Sequence, residues 1–292
     1  MSERRQGLLA GIISNVIWGF LPLYWHALRP IESGVIIFYR VFLCAIASYI
    51  IARRKYSKEE LFAPLKDKKL IAKFLGAGIL ITLNWSLYIW AVNADHTIET
   101  SIGYYIEPVV VGMFGVLFFG DKLNKYKKTA LGFALAGIAV IILYYHTVPL
   151  IALLLALSFS VYGAAKNGLS QPPILSFFYE TVFLAPVALI VLIWLESTGK
   201  GAFAVAQPWQ LAILAAAGFV TAVPLMLFAE SANKAGLFAT GLVGYISPSI
   251  TLLLSIFVFK EPFDMVQLLA FAIIWVGLGF FTYGELHGSE ED

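Results

Sequence analysis

The chain has little of what a water-facing surface requires. Only 13% of its 292 residues are Asp, Glu, Lys or Arg, against 60% apolar, where soluble domains run at about 25% charged. That shortage excludes a nucleic-acid binder, a disordered tail and any sizeable extramembrane catalytic domain. One cysteine, Cys44, excludes an intrachain disulfide and a Cys-based metal cluster. Of the four histidines, His26, His146 and His287 fall at the ends of apolar runs and do not cluster, so no metal or other cofactor is expected. Neither Gly-x-x-x-x-Gly-Lys-Ser/Thr nor His-Glu-x-x-His occurs, which leaves no ATP-binding loop and no zincin site. An enzyme acting within the bilayer would also need a nucleophile–base pair at helical spacing, and none is found.

What the chain does have is long apolar runs. A crossing takes about 20 such residues, and ten runs lie between charged or Pro/Gly breaks: 7–27, 33–52, 70–92, 99–119, 127–145, 149–166, 172–195, 209–229, 236–259 and 265–284. The expected fold is an all-α polytopic membrane protein of ten transmembrane helices. The first run follows Arg4 and Arg5 as a signal peptide would, but it is too long and lacks a small-x-small site at its end, so it is expected to be retained.

Lysine and arginine set the orientation. With the N-terminus inside, the inner segments hold Arg4, Arg5, the Arg53–Lys73 cluster, Lys122, Lys125, Lys127, Lys128, Lys166 and Lys234; the outer ones hold only Arg29, Lys200 and Lys260. Both termini are therefore expected in the cytoplasm, with the protein in a bacterial inner membrane.

The sequence also matches itself at an offset of 140. Tyr105-Ile106-Glu107-Pro108 falls on Tyr245-Ile246-Ser247-Pro248, Phe38-Tyr39 on Phe178-Tyr179, and Gly137 on Gly277. The first run needs an offset of 144, which puts Ser14 on Ser158 and Gly19 on Gly163. Two repeats are expected, residues 1–145 and residues 146–292, the second ending in a short cytoplasmic tail. Five spans per repeat is odd, so the second copy enters from the opposite face. Inverted repeats typify secondary transporters, whose sites lie near midplane between the halves.

An ionisable group inside a span costs about 2.5–3.5 kcal/mol on insertion scales. Arg40, Glu107 and Glu180 lie within spans. Arg40 and Glu107 are both roughly 10–12 Å below the outer face. They are candidates for a buried pair; alternatively Arg40 binds helix-end carbonyls and Glu107 takes a substrate amine or a proton. Glu180 lies a similar depth from the inner face, as a structural or coupling carboxylate. His96, in the outer turn with Glu99, is a further proton candidate. Glu230 and Lys234 are expected to pair at i, i+4.

Trp18 lies midway along the first span, while Asn84, Trp85 and Tyr88 share one side of the third. Tyr104, Tyr105 and Pro108 interrupt the fourth; Tyr245 and Pro248 interrupt its counterpart, the ninth, where Ser247 belongs to a stripe of small and polar residues. A mid-span proline frees a backbone carbonyl, tolerable beside a cavity or a polar neighbour. A cavity between spans 1, 3, 4 and 9 is expected. Its substrate-binding candidates are Trp18, Asn84, Trp85, Tyr88, Tyr105, Glu107, Tyr245 and Ser247. Glu107, Arg40, Glu180 and His96 are candidates for coupling.

Two stretches, Asn84-Trp85-Ser86-Leu87-Tyr88-Ile89-Trp90-Ala91-Val92-Asn93 and Gly103-Tyr104-Tyr105-Ile106-Glu107-Pro108, closely resemble the RarD branch of the EamA family, in the drug/metabolite transporter superfamily. So do Trp18-Gly19-Phe20-Leu21-Pro22-Leu23-Tyr24-Trp25, Thr221-Ala222-Val223-Pro224-Leu225 and Phe257-Val258-Phe259-Lys260-Glu261-Pro262-Phe263. The resemblance spans nearly the whole chain and implies a ten-helix carrier of two inverted EamA repeats, with a cavity built by helices 1, 3, 4, 6, 8 and 9. Two positions depart from the family's habit: Glu107 stands where Asn is usual, and Gly244-Tyr245-Ile246-Ser247-Pro248 stands for Gln-Tyr-Ile-Ala-Pro. The expected function is secondary transport, in the export direction, of small polar or amphipathic metabolites such as amino acids. The alternative is a channel or membrane sensor. The expected partners are a small-molecule substrate and the lipid bilayer, with no nucleic acid.

Overall fold

The computed structural model describes residues 2–119, 125–166 and 171–287, and among these all regular structure is helical. The first part holds α1 (Glu3–Ala27), α2 (Ser33–Lys55), the short α3 (Lys58–Phe62) with a 3-10 turn (Ala63–Lys66), α4 (Lys68–Asn93), α5 (Thr97–Phe119), α6 (Lys125–Tyr145) and α7 (Leu150–Lys166). The rest is more broken: α8 (Pro173–Val182), α9 (Ala185–Ser197), α10 (Ala202–Val205), α11 (Pro208–Ala215), α12 (Ala217–Ala235), α13 (Leu237–Gly244), α14 (Ile246–Phe257) and α15 (Met265–His287). Among the described residues, eight helical stretches are long and apolar enough to cross a membrane, and Leu150–Lys166 is a shorter apolar helix. The protein is a multi-pass membrane protein.

Local chemistry explains the boundaries that place the site. Ser57 and Glu60 form a capping box that starts α3, and the Asp67 carboxylate accepts from the Lys69 and Leu70 N–H groups at the head of α4. Glu261, from the segment before α15, accepts from the Thr97 N–H at 2.7 Å and the Ile98 N–H at 2.8 Å, fixing where α5 begins. The runs 172–195, 209–229 and 236–259 are each broken, at Phe183–Leu184, at Ala216 and at Tyr245. Only Pro108 departs from expectation, since the ninth run is interrupted as expected, at Tyr245. Helix α5 continues through Pro108, whereas Pro248 sits in the first turn of α14, where a missing N–H costs little.

Packing relies on small residues, and it repeats at the sequence offset. A Cβ on Gly78 of α4 would lie 2.1 Å from the Glu180 carbonyl oxygen of α8. Its counterpart Gly218, on α12, would meet the Leu43 carbonyl oxygen of α2 at the same 2.1 Å. Only glycine lets these backbones approach so closely. Gly137 of α6 packs on Ala270 and Ile274 of α15, while Gly277 of α15 packs on Ala130, Phe133 and Ala134 of α6. The Ser14 hydroxyl donates to the Pro224 carbonyl at 2.7 Å; at the matching positions, the Asn84 amide donates to Ser158 Oγ at 2.9 Å. Tyr105 and Tyr245 stack directly on each other, ring centroids 6.4 Å apart.

Candidate functional site

Arg40 lies seven residues into α2 and is 4% exposed. Its Nε donates to Thr221 Oγ1 on α12 at 3.2 Å. The guanidinium carbon sits 5.0 Å from the centre of the Trp25 ring on α1 and 4.2 Å from that of Trp85 on α4. Both are cation–π distances. The Tyr24, Tyr88 and Tyr104 hydroxyls and the Cys44 thiol lie within electrostatic reach of this charge. Nη1 has no hydrogen-bond partner, and neither does the indole Nε1 of Trp25, whose side chain is wholly buried.

Among the described residues, the expected Arg40–Glu107 pair is not made, and no carbonyl takes its place. Arg40 is turned toward α1, α4 and α12 by its tryptophans and by Thr221, while Glu107 projects from α5. Glu107 makes no ion pair or hydrogen bond with any described residue. Tyr104, one turn before it, lies within electrostatic reach of both charges and meets Tyr88 edge-on at 5.7 Å. A cation and a carboxylate thus flank one tyrosine without touching.

The other candidates fall into separate groups. Trp85 and Tyr88 belong to the Arg40 site. Tyr105 does not: one residue along a helix is a turn of about 100°, and its ring points toward α14 and α15. There its hydroxyl meets Ser249 Oγ at 2.6 Å and its ring packs edge-on against Phe271 and Trp275. Tyr245 stacks on it, and Ser247 is half-buried nearby in the first turn of α14. Trp18 packs on Phe228 of α12 at 5.4 Å. The Asn84 amide nitrogen is committed to Leu155 O and Ser158 Oγ, stapling α4 to α7.

Glu180 is 1% exposed and fully engaged. Its Oε1 accepts from Lys166 Nζ at 2.8 Å and Ser176 Oγ at 2.7 Å, and its Oε2 from the Tyr162 hydroxyl at 2.8 Å. His96 lies far from Arg40 in sequence and setting: it is partly exposed, stacked on Trp90 and 3.3 Å from Glu99. Glu230 and Lys234 pair at 2.7 Å as their spacing requires. Among the described residues no group of three His, Cys, Asp or Glu could hold a metal ion. Sequence reasoning did not place Trp25, Tyr104 or Thr221 among the binding candidates. Tyr104 carried a usable signal, since it lies at i−3 to Glu107 and so shares its face; Trp25 reads as an ordinary span-end aromatic.

Two EamA-like transporter matches cover the chain in tandem, over residues 5–143 and 147–283. The chain belongs to the EamA-like transporter family. Within this family it is similar to YojE of Bacillus subtilis, named an uncharacterized transporter, with 37% identity over 98% of this chain and 96% of that protein. It is also similar to the protein RarD of Streptomyces exfoliatus, with 34% identity over 98% of this chain and 90% of the relative. The RarD-type membership implied by the quoted motifs therefore holds. A solved crystal structure superposes with a TM-score of 0.62, covering 95% of this chain and 97% of its own, at 16% identity, a likeness of fold.

Proposed function

We propose that this EamA member is a secondary transporter that moves small polar or amphipathic metabolites by alternating access, as an exporter in a bacterial inner membrane. Amino acids and related compounds are the first substrate class. The observation that carries the reading is the Arg40 site, where an incompletely partnered buried cation is ringed by tryptophan and tyrosine from α1, α4 and α5. Such a constellation suits a ligand with one charged end and an apolar body. The tandem family matches and the designation of YojE as a transporter support it.

In this reading ten crossings form two inverted five-helix repeats, residues 1–145 and 146–292, with both termini cytoplasmic. Contacts that recur at the 140-residue offset support the repeat, and the lysine and arginine bias supports the orientation. Glu107 takes a substrate amine or a proton during the cycle. The test is counterflow in proteoliposomes: unlabelled substrate on the far side accelerates uptake through a carrier, and a channel gives no acceleration. A reporter fused after Glu285 that is active only in the periplasm would refute the topology.

A further inference from the structure

We infer that Arg40 is the anion-binding residue of the transport site, and that the substrate carries a carboxylate that accepts from Arg40 Nη1 and Trp25 Nε1. The inference rests on the transporter reading and adds to it the charge of the ligand.

A guanidinium has five N–H donors and is always charged. At 4% exposure Arg40 has only neutral polar partners, the Thr221 hydroxyl and the Cys44 thiol, its Nη1 is left without one, and no carboxylate of the described protein pairs with it. Two tryptophan faces offset part of the desolvation but accept no hydrogen bond in the guanidinium plane. Buried polar groups are ordinarily satisfied, so a solitary exception calls for an explanation. Here there are two, Arg40 Nη1 and Trp25 Nε1, on side chains in van der Waals range of each other. Both are donors. Both lack an acceptor.

The counterpart position sharpens the contrast. Residue 40 plus the repeat offset of 140 is Glu180, also seven residues into its helix. Glu180 is saturated by Lys166, Ser176 and Tyr162. The same place in one half is closed by the protein's own groups, and in the other it is left with donors to spare. A structural arginine would be completed internally as Glu180 is. One arranged for an incoming acceptor would not.

The acceptor is a monoanion. One guanidinium edge and one indole N–H offer few donors and a single positive charge, which matches the two oxygens of a carboxylate. A phosphate has more oxygens and more charge than these groups satisfy. Apolar parts of the ligand face the Tyr88 and Tyr104 rings, and an amine, where present, has Glu107 beyond Tyr104.

The test uses purified full-length protein in lipid nanodiscs, with binding followed by tryptophan fluorescence and thermal shift. The probes are phenylacetate and L-phenylalanine, each beside its primary amide, and inorganic phosphate. At least one acid should bind roughly tenfold or more tightly than its amide, since the amide loses the charge-assisted bond. Arg40→Gln should abolish the preference, and Arg40→Lys should retain part of it. The acid–amide comparison is made on the wild-type protein, so it stands even where the glutamine variant folds poorly. Amides that bind as tightly as acids, phosphate binding in place of the acids, or no acid binding at all would each overturn the inference. Counterflow of any substrate would still uphold the transporter reading in those cases, so the two fail separately.

Discussion

Breaking the Lys166–Glu180 pair should cost different amounts depending on which partner is removed. The carboxylate is 1% exposed, whereas the lysine side chain is 29% exposed and can reach solvent or headgroups. Lys166→Met therefore leaves a buried anion with only the Ser176 and Tyr162 hydroxyls for company. Orphaning one member of a buried pair costs about 3–5 kcal/mol; with two donors remaining, the lower figure of about 3 kcal/mol is expected. Glu180→Gln leaves a lysine that turns outward at little cost, because its pairing was already screened. What is lost is the charge assistance of two hydroxyl hydrogen bonds, about 1 kcal/mol each. The double variant should resemble Glu180→Gln alone, since no charge is stranded. The assay is a double-mutant cycle on reversible unfolding in mixed micelles. Equal costs for the two single variants, or a larger cost for Glu180→Gln, would refute the asymmetry and the burial argument beneath it.

Gly78→Ala and Gly218→Ala should each lower stability by about 1–3 kcal/mol through overpacking, while Gly76→Ala and Gly132→Ala, with open space around them, should leave it unchanged or raised by up to about 1 kcal/mol; melting temperatures decide. Glu107→Gln should abolish coupled transport at an unchanged melting temperature. Adding Arg40→Met should not rescue it, because the two side chains are not paired; a double variant that restored transport would contradict the structure. Glu261→Gln should weaken the start of α5 by about 1 kcal/mol, visible as faster amide exchange at Thr97 and Ile98.

The place of Arg40 along α2 and the match of residue 105 to residue 245 were legible in the sequence because both depend only on counting along helices. What faces Arg40 was not. Tyr104 and Tyr105 are chemically identical neighbours, and which one joins the site depends on how α5 is rotated against α4 and α14, a property of packing rather than of local pattern. Periodicity likewise could not pair Arg40 with Trp25 and Thr221, which come from helices distant in sequence, and it favoured Glu107 because opposite charges at equal depth invite pairing. The helix breaks at Phe183–Leu184 and Ala216 went unseen for a different reason. Neither falls on glycine or proline, the residues that punctuate a sequence.

The contacts between α6 and α15 join like to like: Gly137 rests where Ala270 and Ile274 lie, and Gly277 where Ala130 and Ala134 lie. This is the geometry of an isologous interface, in which any substitution acts twice. Two separate identical chains could not hold an arginine at one such position and a glutamate at its twin, for each change would appear in both. Joining the halves in a single chain lifts that constraint. Position 40 is then free to stay open while position 180 is sealed, and a nearly symmetric frame can carry a site with a direction.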